Sequence, residues 1–282
     1  MNISPRNVLL SLSFIALPGL VGCAQTAETN PAASFDPYPN WSGQWTRVGS
    51  LNWEPEGYAV AGPPPLTPEY QARREEFQRQ RDQGVLVGDP PATCLPPGMP
   101  RLMTMSFPFE IVITPATSYI LADWDSAVRR IYTDGRDWPE YMLAEFNGYS
   151  IGQWHDENDD GVYDMLSVET RSIKGPRSFD STAVVLHDNN ETVVLEEFRR
   201  LDENTLENTI TTIDDALTGP WTVKRQYSHT PPSEEVLWIE YVCAENNRHI
   251  KLGDEWYFLN AEEGTLDPTR EGQPKLIPEV LE

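Results

Sequence analysis

From residue 109 onward, apolar and polar positions alternate with a period of two, and polar clusters punctuate the alternation. Phe109, Ile111 and Ile113 share one side of a run over 109–115, and runs over 119–124 and 128–133 follow, with Asp134-Gly135 as a turn dipeptide. Residues 148–227 are the densest part of the pattern. Runs over 149–154, 162–170, 182–187, 191–200, 206–213 and 221–227 are separated by 156–161, Asp188-Asn189-Asn190, Asp202-Glu203-Asn204 and Gly219-Pro220. Turn-forming Asp, Asn and Gly between β-branched and aromatic runs predict antiparallel strands. A last run lies over 236–242. Short strands at such regular spacing predict a mainly β chain, an antiparallel meander that closes into a barrel or a strongly curved sheet.

One helix stands apart. Thr67-Pro68-Glu69 supplies an N-cap, an N1 proline and an acid in the first turn. The helix is expected over 68–83, with Gly84 as its C′ residue. Leu66, Tyr70 and Phe77 form only a thin apolar stripe, which suits a helix laid across one barrel mouth. Trp41 to Trp45 opens the domain, and its Gly43-Gln44-Trp45 resembles the first-strand Gly-x-Trp of lipocalin-type barrels. That resemblance implies a lipocalin-like barrel.

The start of the chain reads as an address. Arg6 precedes an apolar run over 8–17, followed by Leu20-Val21-Gly22-Cys23. The run is too short to span a membrane and reads as a secretory signal peptide over 1–22. Leu20 to Cys23 resembles the bacterial lipobox, which implies lipidation of Cys23; the alternative is a plain signal cut after Ala24. Ala24 is not the Asp of an inner-membrane retention signal, so the expected location is the outer membrane, facing the periplasm. A polar tether over 23–38, a single barrel-like domain over 39–262 and an acidic, Pro-containing tail over 263–282 complete the expected organisation.

The chain has 21 basic and 44 acidic residues; loss of Arg6 with the signal leaves 20 against 44, a net charge of −24. Such a surface disfavours nucleic acid and anionic headgroups as partners, so the expected membrane link is the lipid anchor. The sequence says nothing of oligomeric state. Cys94 and Cys243 remain after Cys23, and an even remainder in an oxidising compartment suggests a disulfide. Two buried free thiols are the alternative.

Five segments together resemble a large family of uncharacterised exported bacterial proteins. They are Cys94-Leu95-Pro96-Pro97-Gly98-Met99-Pro100-Arg101, Arg129-Arg130-Ile131-Tyr132-Thr133-Asp134-Gly135-Arg136, Gly148-Tyr149-Ser150-Ile151-Gly152-Gln153-Trp154, Pro220-Trp221-Thr222-Val223 and Cys243-Ala244-Glu245-Asn246-Asn247. The resemblance implies export, a common fold and pairing of the two cysteine segments, and carries no activity. In that family a tight Glu-Gly-Asp turn follows the tryptophan. Here Trp154 is followed by a longer acidic tip over 155–164.

That tip supplies the sharpest local motif. Asp156, Asn158, Asp160 and Asp164 stand at positions one, three, five and nine of a calcium loop, with the Val162 carbonyl at seven. Calcium is therefore the one candidate cofactor. Ser167 stands at position twelve where a bidentate Glu is wanted, and an acidic hairpin tip is the plainer account. Arg129, Arg130 and Arg136 could bind an anionic ligand or pair with internal acids such as Glu196 or Glu197. Trp154, Trp221 and Trp238 lie on expected strands and are candidates to line a ligand cavity together with Arg130 and Arg136. His187 with Glu196 or Glu169 is the candidate acid–base pair. His155, His187, His229 and His249 show no zinc spacing, and no nucleophile elbow, P-loop or dinucleotide fingerprint is present. The expected role is binding of a small apolar or amphipathic molecule in a barrel cavity. The alternatives are a hydrolase or isomerase acting inside the barrel and a structural or interaction lipoprotein with a filled core.

Overall fold

A computed structural model describes residues 37–49, 62–83, 89–234, 238, 242–243, 248–253 and 255–277. The signal, Cys23, most of the tether, Gly84 and most of the run over 236–242 lie outside the described residues. Nine strands close into a barrel: β1 (Gln44–Arg47), β2 (Phe109–Ile113), β3 (Thr117–Ala122), β4 (Val128–Tyr132), β5 (Tyr149–His155), β6 (Met165–Arg171), β7 (Val193–Asp202), β8 (Thr205–Ile213) and β9 (Trp221–Thr230). Strand β1 closes the circle against β9, from Gln44↔Thr230 to Arg47↔Tyr227. Closure removes the exposed edges an open sheet would present.

The period-two pattern is what orients the wall. On β8, Leu206, Asn208, Ile210 and Thr212 point inward and are buried, and on β9 Trp221, Val223, Arg225 and Tyr227 do the same. Buried side chains from all nine strands meet in the interior, among them Trp45, Phe109, Ile120, Ile131, Val168, Phe198 and Ile210. Burial of each such side chain contributes about 1.5–3 kcal/mol.

The barrel is not wholly antiparallel. Strands β4 and β5 run parallel and share only Ile131↔Ser150 and Tyr132↔Ile151. A parallel pair needs a crossover, and the connection over 133–148 provides it by running back along the outside of the barrel. At its end Gly148 takes φ +63°, where a Cβ would sit 2.6 Å from the Arg171 carbonyl oxygen. Only glycine permits that entry into β5.

The expected strand over 182–187 is a second difference. Strands β6 and β7 are linked by an excursion over 172–192 whose pairings among the described residues are two isolated bridges, Glu145↔Ile173 and Ser178↔Val185. Ala183, Val184 and Leu186 are fully buried there without joining the sheet. A short continuous apolar run carries no period that separates a strand from a buried plug. Arg177 holds the excursion in shape, donating to the Ile173 carbonyl (3.1 Å), to Thr192 Oγ1 (2.6 Å) and to the His187 carbonyl.

Helix α1 (Pro68–Asp82) has the expected cap, Thr67 Oγ1 accepting from the Tyr70 N–H. The Arg81 guanidinium donates to the Ser181 carbonyl at 2.8 Å, and Leu66 bridges Leu217. The helix therefore lies over the barrel end formed by the excursion and the β8–β9 turn. A one-turn helix α2 (Arg101–Thr104) closes the same end. Tyr227 Oη donates to the Met103 carbonyl (2.7 Å) and Thr104 Oγ1 to the Phe179 carbonyl (2.7 Å). At the opposite end, Trp41 packs on Trp154 at 4.9 Å and Tyr38 on Tyr163 at 5.2 Å. Gly43, at φ +102°, passes so close to His229 that a Cβ would lie 2.5 Å from Nε2.

Beyond the barrel, β10 (His249–Leu252), β11 (Glu255–Asn260) and β12 (Thr265–Pro268) form a separate three-stranded sheet. The acidic, Pro-containing tail expected over 263–282 thus supplies an edge strand, paired with β11 and with Thr265 and Leu266 buried. Cys94 and Cys243 form a disulfide with Cα atoms 5.4 Å apart, closing a loop across a sequence separation of 149. In the chain-entropy account such a loop is worth about 4–5 kcal/mol.

Candidate binding cleft

The alternation that points Arg129 and Glu196 inward makes them a buried ion pair. Arg129 Nη1 donates to Glu196 Oε1 at 3.2 Å, and Nη2 donates to Oε2 and to Thr170 Oγ1 (2.9 Å). Ser150 Oγ lies 2.8 Å from Thr170 Oγ1, and the Asn208 amide donates to Glu196 Oε1 at 2.9 Å. The pairing of an arginine with Glu196 is the internal-acid option left open by the sequence. It also removes Glu196 as a partner for His187. His187 lies in the excursion, its ring 5.8 Å from Tyr70 and its Nδ1 accepting from the Asn189 N–H. The candidate acid–base pair is not brought together.

The outward faces of β5, β6 and β7 build a different feature. The register aligns Ile151, Glu169 and Leu195 in one row and Gln153, Ser167 and Glu197 in the next. The crossover stands beside them as a wall carrying Thr133, Gly135, Arg136 and Trp138, and Tyr38, Trp154 and Tyr163 close the hairpin end. The result is an open cleft of about 770 Å³. Its charged groups are paired at home. Glu169 bonds Arg171 at 2.5 Å, and Arg171 lies over the Trp138 ring at 4.3 Å. Arg136 bonds Asp134 at 2.7 Å and covers the Tyr132 ring at 3.8 Å. Arg199 bridges Glu197 (2.6 Å) and Glu157 (2.9 Å). The Arg136 hydrogen bond holds the Asp134 carboxyl down at about 2, and that of Arg199 lowers Glu157 below the usual carboxylate range.

Ser167, in the cleft lining, has its Oγ 2.8 Å from His155 Nε2. The spacing suits a nucleophile and its base. Glu169 and Glu197, each paired with an arginine, flank Ser167 on the same face. The contact serves as a cross-strand hydrogen bond.

The remaining candidates scatter. Trp221 is core, 4.5 Å from Phe179, its indole N–H donating to the Gly62 carbonyl. Trp238 is half-buried. Arg130 is exposed and lines a second open cleft of about 750 Å³ beside Val128, Tyr141 and Leu143. At the acidic tip the side chains accept from the backbone. Asp156 accepts from the N–H groups of Asp160 and Gly161, Asn158 from Asp160, Asp160 from Val162, and Asp164 from Glu157. Among the described residues, no group of three or more His, Cys, Asp or Glu side chains is gathered to hold a metal.

Sequence reasoning reached Trp154 and Arg136 of the cleft but not Gln153, Ser167, Leu195 or Trp138. The usable signal was the outward phase of three consecutive strands beside a long connection that carries a tryptophan. A scan against protein-family models and a search of curated proteins found no match to this chain. What fold and site define together is a closed β-barrel with a buried apolar core and a cleft on its outer wall.

Proposed function

We propose that this chain is an exported protein, lipid-anchored through Cys23 to the outer membrane and facing the periplasm, that binds a small amphipathic molecule. The ligand position that the geometry favours is the cleft over β5–β7, not the barrel lumen. One observation carries the reading: inward side chains of all nine strands are packed in the interior, while the outer cleft offers about 770 Å³ lined by both apolar and hydrogen-bonding groups. Ile151 and Leu195 give it apolar patches; Gln153, Ser167 and the paired carboxylates give it polar ones. Small-molecule sites combine these two kinds of surface.

The buried apolar core also supports a second reading, an interaction lipoprotein that holds no small molecule. Native mass spectrometry separates the two. Protein extracted from membranes of an exporting host is expected to carry a lipid on Cys23 and a non-covalent adduct of a few hundred daltons. Leu195→Arg, at a 37% exposed floor position, is expected to lose that adduct with an unchanged circular dichroism spectrum. An adduct that survives Leu195→Arg would place the ligand elsewhere, and a clean mass for the parent protein would favour the interaction reading.

A further inference from the structure

We infer that the cleft over β5–β7 takes an uncharged saccharide chain, an inference that rests on the reading of this cleft as a ligand site. The charge arrangement decides against ionic ligands. A site for an anion presents unspent guanidinium groups, and a site for a cation presents unspent carboxylates. Here Glu169, Glu197 and Arg136 each have a partner within their own shell: Arg171, Arg199 and Asp134. Paired in this way, the groups offer little net field but keep hydrogen-bonding capacity. A carboxylate has about four lone-pair sites and a guanidinium five N–H donors, and one ion pair uses only some of them. The Gln153 amide and the Thr133 hydroxyl add groups that both donate and accept. A saccharide hydroxyl also donates and accepts, so it matches such a surface at several points.

The apolar groups have the matching distribution. Ile151 and Leu195 alternate with polar residues instead of merging into a continuous strip, which a long alkyl chain would need. Trp138 sits on the wall, fixed by the Arg171 guanidinium over its ring. A pyranose presents a C–H face and a hydroxyl edge within one ring, and it can set the first against an apolar side chain and the second toward a carboxylate. The floor lies on rigid paired strands, so little ordering cost attends binding. The volume and the open ends suit a short oligomer more than a single ring.

The test uses the full-length protein in a zwitterionic detergent, with maltohexaose, cellohexaose and chitohexaose as probes and dodecanoate as the apolar comparison. Binding is read by intrinsic tryptophan fluorescence and calorimetry. At least one hexasaccharide is expected to bind, with an affinity that changes less than twofold between 50 mM and 500 mM NaCl, roughly as the absence of released counterions requires. Trp138→Ala and Gln153→Ala are each expected to weaken it by about tenfold, a loss of one polar or stacking contact. Gln153 is exposed, so its variant separates lost contacts from lost folding. Failure of all three hexasaccharides overturns the inference. If dodecanoate alone binds and Leu195→Arg abolishes it, the cleft reading stands without the saccharide. If no probe binds, both fall.

Discussion

Replacing Arg129 with methionine tests the central polar cluster of the barrel. Both side chains of its ion pair are almost completely shielded, at 1% and 0% relative exposure. Without the guanidinium, Glu196 keeps, among the described residues, the Asn208 amide at 2.9 Å, and Ser150 and Thr170 lose their shared donor. Stripping one partner from a buried pair costs about 3–5 kcal/mol because the remaining charge is uncompensated. Against a typical stability of about 5–15 kcal/mol this is a large fraction. For a domain of this size it corresponds to a fall in Tm of roughly 6–20 °C. The assay is urea unfolding followed by fluorescence of the nine tryptophans, with the m-value checked for constancy. The double variant Arg129→Met/Glu196→Leu completes a cycle. Apolar replacement of a whole buried pair is often neutral, so the double variant is expected within about 2 kcal/mol of the parent. A single-variant cost below about 1 kcal/mol, or simple additivity in the double, would refute the argument.

Two further outcomes follow from the structure. Burial raises the Tyr227 phenol well above its ordinary value, with the nearby Glu196 charge adding to the effect. The folded state therefore keeps a proton that the unfolded chain loses near pH 10, so this contribution is present below that pH and disappears as pH rises above it. Tyr227→Phe should flatten the fall in stability above pH ~10, measured by urea titration at stepped pH; an unchanged slope would contradict the assignment. At the acidic tip, Asp156, Asn158, Asp160 and Asp164 already accept backbone N–H groups. Millimolar calcium is expected to leave Tm unchanged relative to chelator, and a rise of more than about 2 °C would instead place an ion at that tip.

Much of the barrel wall was legible as sequence because burial on one face of a strand is a local property. Alternation alone placed β2, β4, β5 and β8 within two residues of their bounds, and β9 but for its last three residues. Thr67-Pro68-Glu69 located α1, and the count of cysteines pointed to the Cys94–Cys243 bridge. For Arg129, Arg130 and Arg136 the sequence offered an anionic ligand or an internal acid such as Glu196 or Glu197, and it did not choose among them. A one-residue difference in phase sent Glu196 into the core and Glu197 into the cleft.

What the tertiary structure decided are relations between segments far apart in the chain. The crossover over 133–148 makes β4 and β5 parallel, and the same crossover sets Arg136 and Trp138 beside the outer face of β5–β7. Period carries no record of that placement, since an outward residue reads the same under solvent or under a wall. Residues 182–187 read as a strand because a buried run looks alike in a sheet or a plug. His187 and Glu196 are both plausible as acid–base chemistry, and only folding shows one beside Tyr70 and the other inside the barrel. Which side chains seek burial, and where the chain can turn, are local properties written in the residues themselves. Which buried groups meet, and which outer face is roofed into a cleft, depended on closing nine strands around one interior.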